Sequence, residues 1–220
     1  MAKAKRRASS SGEETRQKIL DATLETLQEE GIVGASARAI ARAGDFNQAL
    51  IFYHFGSVDE AIVAAIGELS RRRLERYRDP LMAVDNLTDL IHVARDLYEN
   101  DRESGEVTVL AQAFAGASRD PEMGPAMYDH IDGWNQLIAE VVDRAIAASP
   151  LGDTPMAKML PRQELAMAIS ALFLGVELMG QLDPERANTD RLFTSIAAMA
   201  QLAESLLESD LININAATTP

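Results

Sequence analysis

The sequence predicts an all-α chain, and three observations carry that reading. Apolar residues recur at three- and four-residue spacing along most of its 220 positions. The breaks between such stretches hold Gly, Pro, Asp and Ser, and no alternating segment is long enough to argue for strands. With 47% apolar and 5% aromatic residues, the chain can bury one or two small cores.

The elements follow in order. Residues 1–12 form a basic, Ser-rich arm without apolar periodicity, expected to be disordered in the free protein. Its Lys3, Lys5, Arg6 and Arg7 suit phosphates or a minor groove, and equally a solvated tail. The first helix is predicted from about Glu13 to Glu30, with Ile19, Ala22, Thr23 and Leu27 on one side and Gly31 as its stop. A second helix opens at Ser36, whose hydroxyl can accept from a free first-turn amide. Ala37, Ile40 and Ala41 give it a small apolar face, and Gly44 ends it. Asn47 can cap a third helix, placing Gln48, Ala49 and Leu50 in its first turn. Phe52, Tyr53, His54 and Phe55 close that helix.

A fourth helix is predicted from Ser57 as cap, with Asp59 and Glu60 favourably placed in its first turn, to about Arg78 before Pro80. Further helices are predicted near 84–100, 105–118, 124–148, 162–182 and 189–209, with a flexible tail over 211–220. Arg119-Asp120-Pro121, Ser149-Pro150-Leu151-Gly152 and Leu182-Asp183-Pro184 punctuate them.

The second and third helices, with their Gly-containing turn, have the form of a helix-turn-helix that lays its second helix in a DNA major groove. Such pairs also occur in helical proteins that never touch DNA. The longer amphipathic helix before this pair and the capped helix after it favour DNA when residues 15–66 are read together.

A net charge of −13 looks unsuited to a polyanion until it is divided along the chain. Residues 1–78 carry 13 Lys and Arg against 11 Asp and Glu, whereas residues 79–220 carry 8 against 23. The acidity therefore belongs to the second part, and the first can approach phosphates.

Several chemistries are excluded. The absence of cysteine removes disulfides, thiolate metal sites and cysteine nucleophiles together. His54, His92 and His130 have no paired-His spacing, and there is neither a glycine-rich phosphate loop nor a G-x-S-x-G elbow. No catalytic residue, metal or cofactor is expected. No uninterrupted run of about 18 apolar residues is present, and no apolar stretch follows the basic N-terminus. The expectation is a cytoplasmic protein without a membrane partner.

The segment TRQKILDATLETLQEEGIVGASARAIARAGDFNQALIFYHFGSVDEAI, residues 15–62, resembles the tetracycline-repressor (TetR) family of transcriptional regulators. Its most specific words are the ILDA opening, the S-x-R-x-I-A segment and the aromatic-rich end of the third helix. The resemblance implies an N-terminal three-helix DNA-binding domain over 13–56 and a helical ligand-binding and dimerisation domain over 57–210. It implies a DNA surface of Arg38, Asn47, Gln48, Ala49, Leu50, Tyr53 and His54. Arg38 would meet phosphate or a base edge, Gln48 an adenine and Leu50 a thymine methyl, while Ala49 allows close approach and Tyr53 and His54 meet phosphates. Ile51, Phe52 and Phe55 would anchor the helix in its own core. Members usually carry Lys or Arg near position 58, where this chain has Val58. The turn reads one residue longer than the commonest pattern, with Asp45 as the extra residue and Phe46 in place of a buried aliphatic.

In the second part, Ala168, Ala171, Leu172 and Gly175 sit beside Phe193, Ile196, Ala200 and Leu207 on helices too apolar for one buried face each. Paired with their symmetry copies they would form a four-helix homodimer interface; the alternative is two central helices of a monomer. Phe114, Met123, Met127, Tyr128, Trp134 and Phe173 could line an apolar pocket with Glu177 as a polar handle, or could be ordinary core. The function expected is a regulator, more specifically a repressor, released from double-stranded operator DNA by a small apolar effector. An effector-independent dimeric DNA binder is the alternative, and a helical enzyme or interaction module a more distant one.

Overall fold

The computed structural model describes residues 2–117, 123–148 and 155–217, and within these the side chains of 11–117, 124–148, 155, 158–183 and 185–206. All regular structure among them is helical: α1 (Ala2–Gly34), α2 (Ala37–Ala43), α3 (Ala49–Phe55), α4 (Val58–Met82), α5 (Leu87–Ser104), α6 (Glu106–Ala117), α7 (Met123–Ala148), α8 (Pro155–Met159), α9 (Arg162–Leu182), α10 (Pro184–Ala187) and α11 (Thr189–Ala217). The punctuation at 119–121 and 149–152 lies outside the described residues.

The differences from the sequence-based boundaries lie at helix ends. α1 begins at Ala2 rather than near Glu13. Ala, Lys and Arg are among the strongest helix formers, and a helix can run through the arm without an apolar stripe. At Gly31 the backbone leaves helical geometry (φ 70°) as the stop signal implied, yet helix resumes to Gly34. The Ile32 N–H freed there donates to Gln112 Oε1 at 2.9 Å. α4 passes through Pro80, because the fully buried Leu81 anchors its last turn and the Ala83 N–H donates to the Asp79 carbonyl at 3.0 Å. α11 continues to Ala217, over much of the expected tail.

The chain forms two compact units, Met1–Arg73 with Gly105–Ile131 and Leu74–Ser104 with Asp132–Pro220. This grouping differs from the expected division at 56/57, because α6 completes the first core. In that core Leu20, Leu24, Leu27, Ile62, Ile66 and Leu69 pack with Val109, Leu110, Ala113 and Met127. A smaller cluster of Ile19, Ala22, Ile40, Ile51 and Ala61 holds α2 and α3. Thr23 and Thr26 are buried without an unmet polar group, since each hydroxyl donates four residues back, to Ile19 and Ala22, at 2.7 and 2.8 Å.

The second unit is built around Tyr77, Leu81, Val84, Leu97, Leu137 and Val141, with Trp134 and Phe173 against them. The Tyr77 hydroxyl donates to the fully buried Asp101 carboxylate at 2.9 Å. α11 runs antiparallel to α5: Arg95 pairs with Asp190 at 2.9 Å, and Glu204 accepts from the Leu87 N–H at 2.7 Å and the Thr88 hydroxyl at 2.7 Å. Among the described residues, α9 is the one unbroken helix long and apolar enough to cross a membrane by length and composition. The core helix of a soluble protein, or one covered by a partner helix, meets the same test.

Candidate nucleic-acid interface

The turn between α2 and α3 is built from local bonds. Ser36 accepts the Ala39 N–H at 3.2 Å and opens α2, as its sequence position implied. Gly44 ends that helix, and the ring of Phe46 lies directly against it. A Cβ on Gly44 would collide with that ring and meet the Ala22 Cβ at 2.8 Å. The left-handed backbone of the turn falls on Asp45 (φ 48°), a conformation glycine adopts more readily. Lys18 reaches this turn, its Nζ donating to the Asp45 carbonyl at 3.4 Å. The Asn47 side-chain carbonyl accepts the Ala49 N–H at 2.9 Å, and the cap position of α3 falls one residue later, on Gln48, which makes no side-chain cap bond. The bond to Ala49 gives the Asn47 oxygen a structural role at the edge of the reading surface.

α3 is anchored by Ile51, which is fully buried, and by Leu50 and Phe55, which pack half-buried against the smaller cluster. The Arg16 guanidinium lies over the Phe55 ring, 5.0 Å from its centroid. Gln48 and Ala49 are exposed, Tyr53 is 81% exposed, and His54 is half-buried with its ring edge-on to Tyr53 at 5.0 Å. Arg38 is exposed on α2 and makes no ion pair among the described residues. Arg42, by contrast, is tied to Glu30.

One expected anchor is corrected. Phe52 is 51% exposed rather than buried, because residues 48, 49, 52 and 53 share the side of α3 opposite Ile51 and Phe55. Leu50, expected at a thymine methyl, is half-buried against the smaller cluster. The one-turn spacing from Gln48 to Phe52, against the Ile51–Phe55 pair, was the signal available in the sequence. Val58, at the first position of α4, packs into both clusters of this unit, and the adjacent Ser57 accepts the Glu60 N–H at 3.1 Å.

The expected dimer residues divide. Ala168, Ala171 and Leu172 are exposed on α9, Leu172 at 67%, and a Cβ added to Gly175 would meet nothing within 4 Å. Ile196 is half-buried. Phe193 and Ala200 are buried within the protomer, Phe193 against Tyr98 with ring centroids 5.6 Å apart, so neither is available to a partner. The exposed apolar stripe of α11 is instead Met199, Leu202 and Leu206, with Leu192 at its start. The Leu207 side chain lies outside the described residues.

The expected pocket residues also divide. Phe114 and Met127 pack into the first unit's core, Trp134 and Phe173 into the second's. Glu177 is buried at 3% exposure on α9, while Tyr128 is 55% exposed. The Met123 side chain lies outside the described residues. A cleft of about 300 Å³ between α5 and α11 is bordered by His92, Arg95, Phe193 and Gln201, and by none of the expected pocket residues. No group of three or more His, Asp or Glu among the described residues is placed to hold a metal.

Comparison with known proteins addresses the same segment. Residues 19–65 match the family model described as bacterial regulatory proteins, tetR family. The chain is 28% identical over 186 residues to the HTH-type transcriptional regulator PksA of Bacillus subtilis, covering 82% of this chain and 85% of PksA. It is 28% identical over 111 residues to the HTH-type nicotine-responsive transcriptional repressor HdnoR of Paenarthrobacter nicotinovorans, half of this chain and 57% of that one. Its fold matches that of the fatty acid degradation regulator FadR from Bacillus halodurans with a TM-score of 0.64 at 12% identity, over 84% of this chain and 93% of that one.

Proposed function

We propose, from the match of residues 19–65 to the tetR family of bacterial regulatory proteins and the likeness to PksA, that the chain is a homodimeric repressor of that family whose grip on operator DNA is loosened by a small apolar ligand. The observation that carries the DNA-binding half is the reading surface itself. An exposed Gln48, Ala49 and Tyr53 stand on a seven-residue helix whose opposite side is locked by Ile51 and Phe55, with the unpaired Arg38 beside it on α2. Gln48 is the long polar side chain able to make a bidentate contact to adenine, and Tyr53, His54 and Arg38 supply phosphate contacts.

Dimerisation rests on the exposed apolar stripes of α9 and α11. Ala168, Ala171, Leu172 and Gly175 on the first, and Met199, Leu202 and Leu206 on the second, leave a large apolar surface to water in the single chain. Small residues at one-turn spacing let helices approach closely, and two helices with their symmetry copies make a four-helix interface. Two reading helices then meet successive major grooves when about 34 to 36 Å apart.

The ligand is proposed for the second unit, near Trp134 and Phe173, with Glu177, buried one turn along α9 from Phe173, as the polar partner. The nicotine-responsive relative supports a ligand of some kind. α4, one helix from Val58 to Met82, contributes to both units and is the element such a ligand would bias. Release requires that the ligand prefer the conformer that fits DNA less well.

Selection of bound sequences from random DNA by the full chain tests the reading. An enriched pseudo-palindrome with half-site centres one helical turn apart is the expected result; retention of DNA without sequence preference would reject it. With that site in hand, a ligand that alters Trp134 fluorescence should also weaken operator binding, and the operator should weaken ligand binding by the same factor.

A further inference from the structure

Phe52 stands out among the exposed residues of α3. A phenylalanine half exposed on a short helix, with Tyr53 beside it and Ala49 one turn before it, sets an apolar patch on the side of the helix that turns away from the core. The helix carries no Lys or Arg, and Gln48 just before it is its one flexible polar side chain. Bidentate Arg or Lys to guanine is the commonest specific contact in the major groove, and α3 has no residue to make it. The feature such a patch can recognise there is the thymine 5-methyl group, the one apolar group on any base edge.

We infer that Phe52, with Ala49, is a second specificity-determining contact of the reading helix beside Gln48, and that it selects A·T pairs by packing on thymine 5-methyl groups. This rests on the DNA-reading role of α3 and extends it to the base composition of the half-site. Phe52 offers more of its side chain than Leu50, which is half-buried against the cluster that holds Ile51. Phe52 also lacks the hydroxyl through which a tyrosine could bond phosphate, so its contribution is apolar contact. Burying one methyl is worth about 0.8 kcal/mol, or roughly four-fold in affinity. 5-Methylcytosine presents the same methyl in the same groove, so it should partly replace thymine at that position.

The test uses the full-length protein and the duplex it selects from random DNA. Each thymine of one half-site is replaced in turn by uracil, which removes only the methyl group, and binding is followed by fluorescence anisotropy. At one or two positions wild type should weaken about three- to ten-fold, and Phe52→Ala should bind thymine and uracil duplexes equally there. Phe52→Tyr should keep the uracil sensitivity, because the ring remains. Cytosine at the sensitive position should bind more weakly than 5-methylcytosine. Uracil without effect at every position, an equal uracil effect in Phe52→Ala, or a selected half-site dominated by G·C pairs beneath α3 would each overturn the inference. Failure to enrich any sequence would instead reject the DNA-reading role on which it rests, and the two failures are thereby separated.

Discussion

Phe52 on α3 and Leu172 on α9 are both exposed apolar side chains, at 51% and 67%, yet their surroundings assign them to different partners. Phe52 stands on a seven-residue helix beside Gln48 and Tyr53, in a part of the chain where basic residues slightly outnumber acidic ones. Leu172 belongs to a 21-residue helix with Ala168, Ala171 and Gly175 one turn apart, in a part where acidic residues outnumber basic ones 23 to 8. A polyanion is attracted to the first setting and repelled from the second, while a long stripe of small residues suits another helix. Exposed apolar area alone separates neither; helix length, neighbouring polar groups and charge do.

The most forceful way to break this comparison is a charge at Gly175. No atom lies within 4 Å of a Cβ placed there, so Gly175→Glu leaves the protomer fold intact while burying a carboxylate in the proposed interface. The dimer should split in sedimentation, and operator affinity should fall by about 10²- to 10⁴-fold as the second reading head is lost. An unchanged dimer would move the interface away from α9. Gln48→Ala comes next, at about 1 to 3 kcal/mol on the preferred site with selectivity relaxed at one base position. Equal weakening on every sequence would reassign Gln48 to phosphate.

The two glycines sharpen the contrast from the side of stability. Gly44→Ala drives a methyl into the Phe46 ring and the Ala22 Cβ, and should cost about 1 to 3 kcal/mol. Gly175→Ala meets no atom of its own protomer and removes a glycine from a helix interior, so the dissociated protomer should gain about 0.5 to 1 kcal/mol. Urea unfolding of the two variants, at concentrations where the protomer is dissociated, should therefore move in opposite directions, and stabilisation by Gly44→Ala would show that the Phe46 contact carries no strain.

The first unit was more legible in the sequence than the second because its determinants are local. Ser36, Asn47 and Ser57 each accept an amide two or three residues on, so chain order alone locates those helix starts. What failed there was the facing of Phe52, where aromatic character outweighed a one-turn offset from Gln48. In the second unit the decisive contacts are distant: Phe193 is claimed by Tyr98, ninety-five positions away, and the α5 N-terminus is capped by Glu204. An apolar helix with two faces does not reveal which one its own chain will cover. Phe193 and Ala200 were therefore assigned to the partner, and Met199, Leu202 and Leu206 were passed over. The α6 contribution to the first core escaped for the same reason, since Val109 and Ala113 reach α1 across a long stretch of sequence.

The smallest effect separates the two units by pH. In the first, hydrogen bonds from Arg71, and against some burial from Arg72, hold the Glu68 carboxyl at about 2, below its ordinary 4.5. A lowered carboxyl contributes stability that is fully present above pH 4.5 and is lost as pH falls through about 2. The exposure of both arginines and screening by salt keep this modest, about 0.2 to 1 kcal/mol. In the second unit burial, and the neighbouring Asp101, push the Tyr77 hydroxyl up to about 12. Its contribution is complete below pH 10 and is lost as pH rises toward 12. Trp134 is the single tryptophan and its ring lies 6.2 Å from that of Tyr77, so its fluorescence reports the second unit while far-UV circular dichroism reports both. Between pH 4.5 and 2 the urea midpoint should fall less in Glu68→Gln than in wild type. Above pH 10 the Trp134 transition should weaken in both proteins alike. If Glu68→Gln tracked wild type throughout the acid range, the Arg71–Glu68–Arg72 cluster would contribute nothing to folding, and acid sensitivity would have to come from the other carboxylates of the first unit.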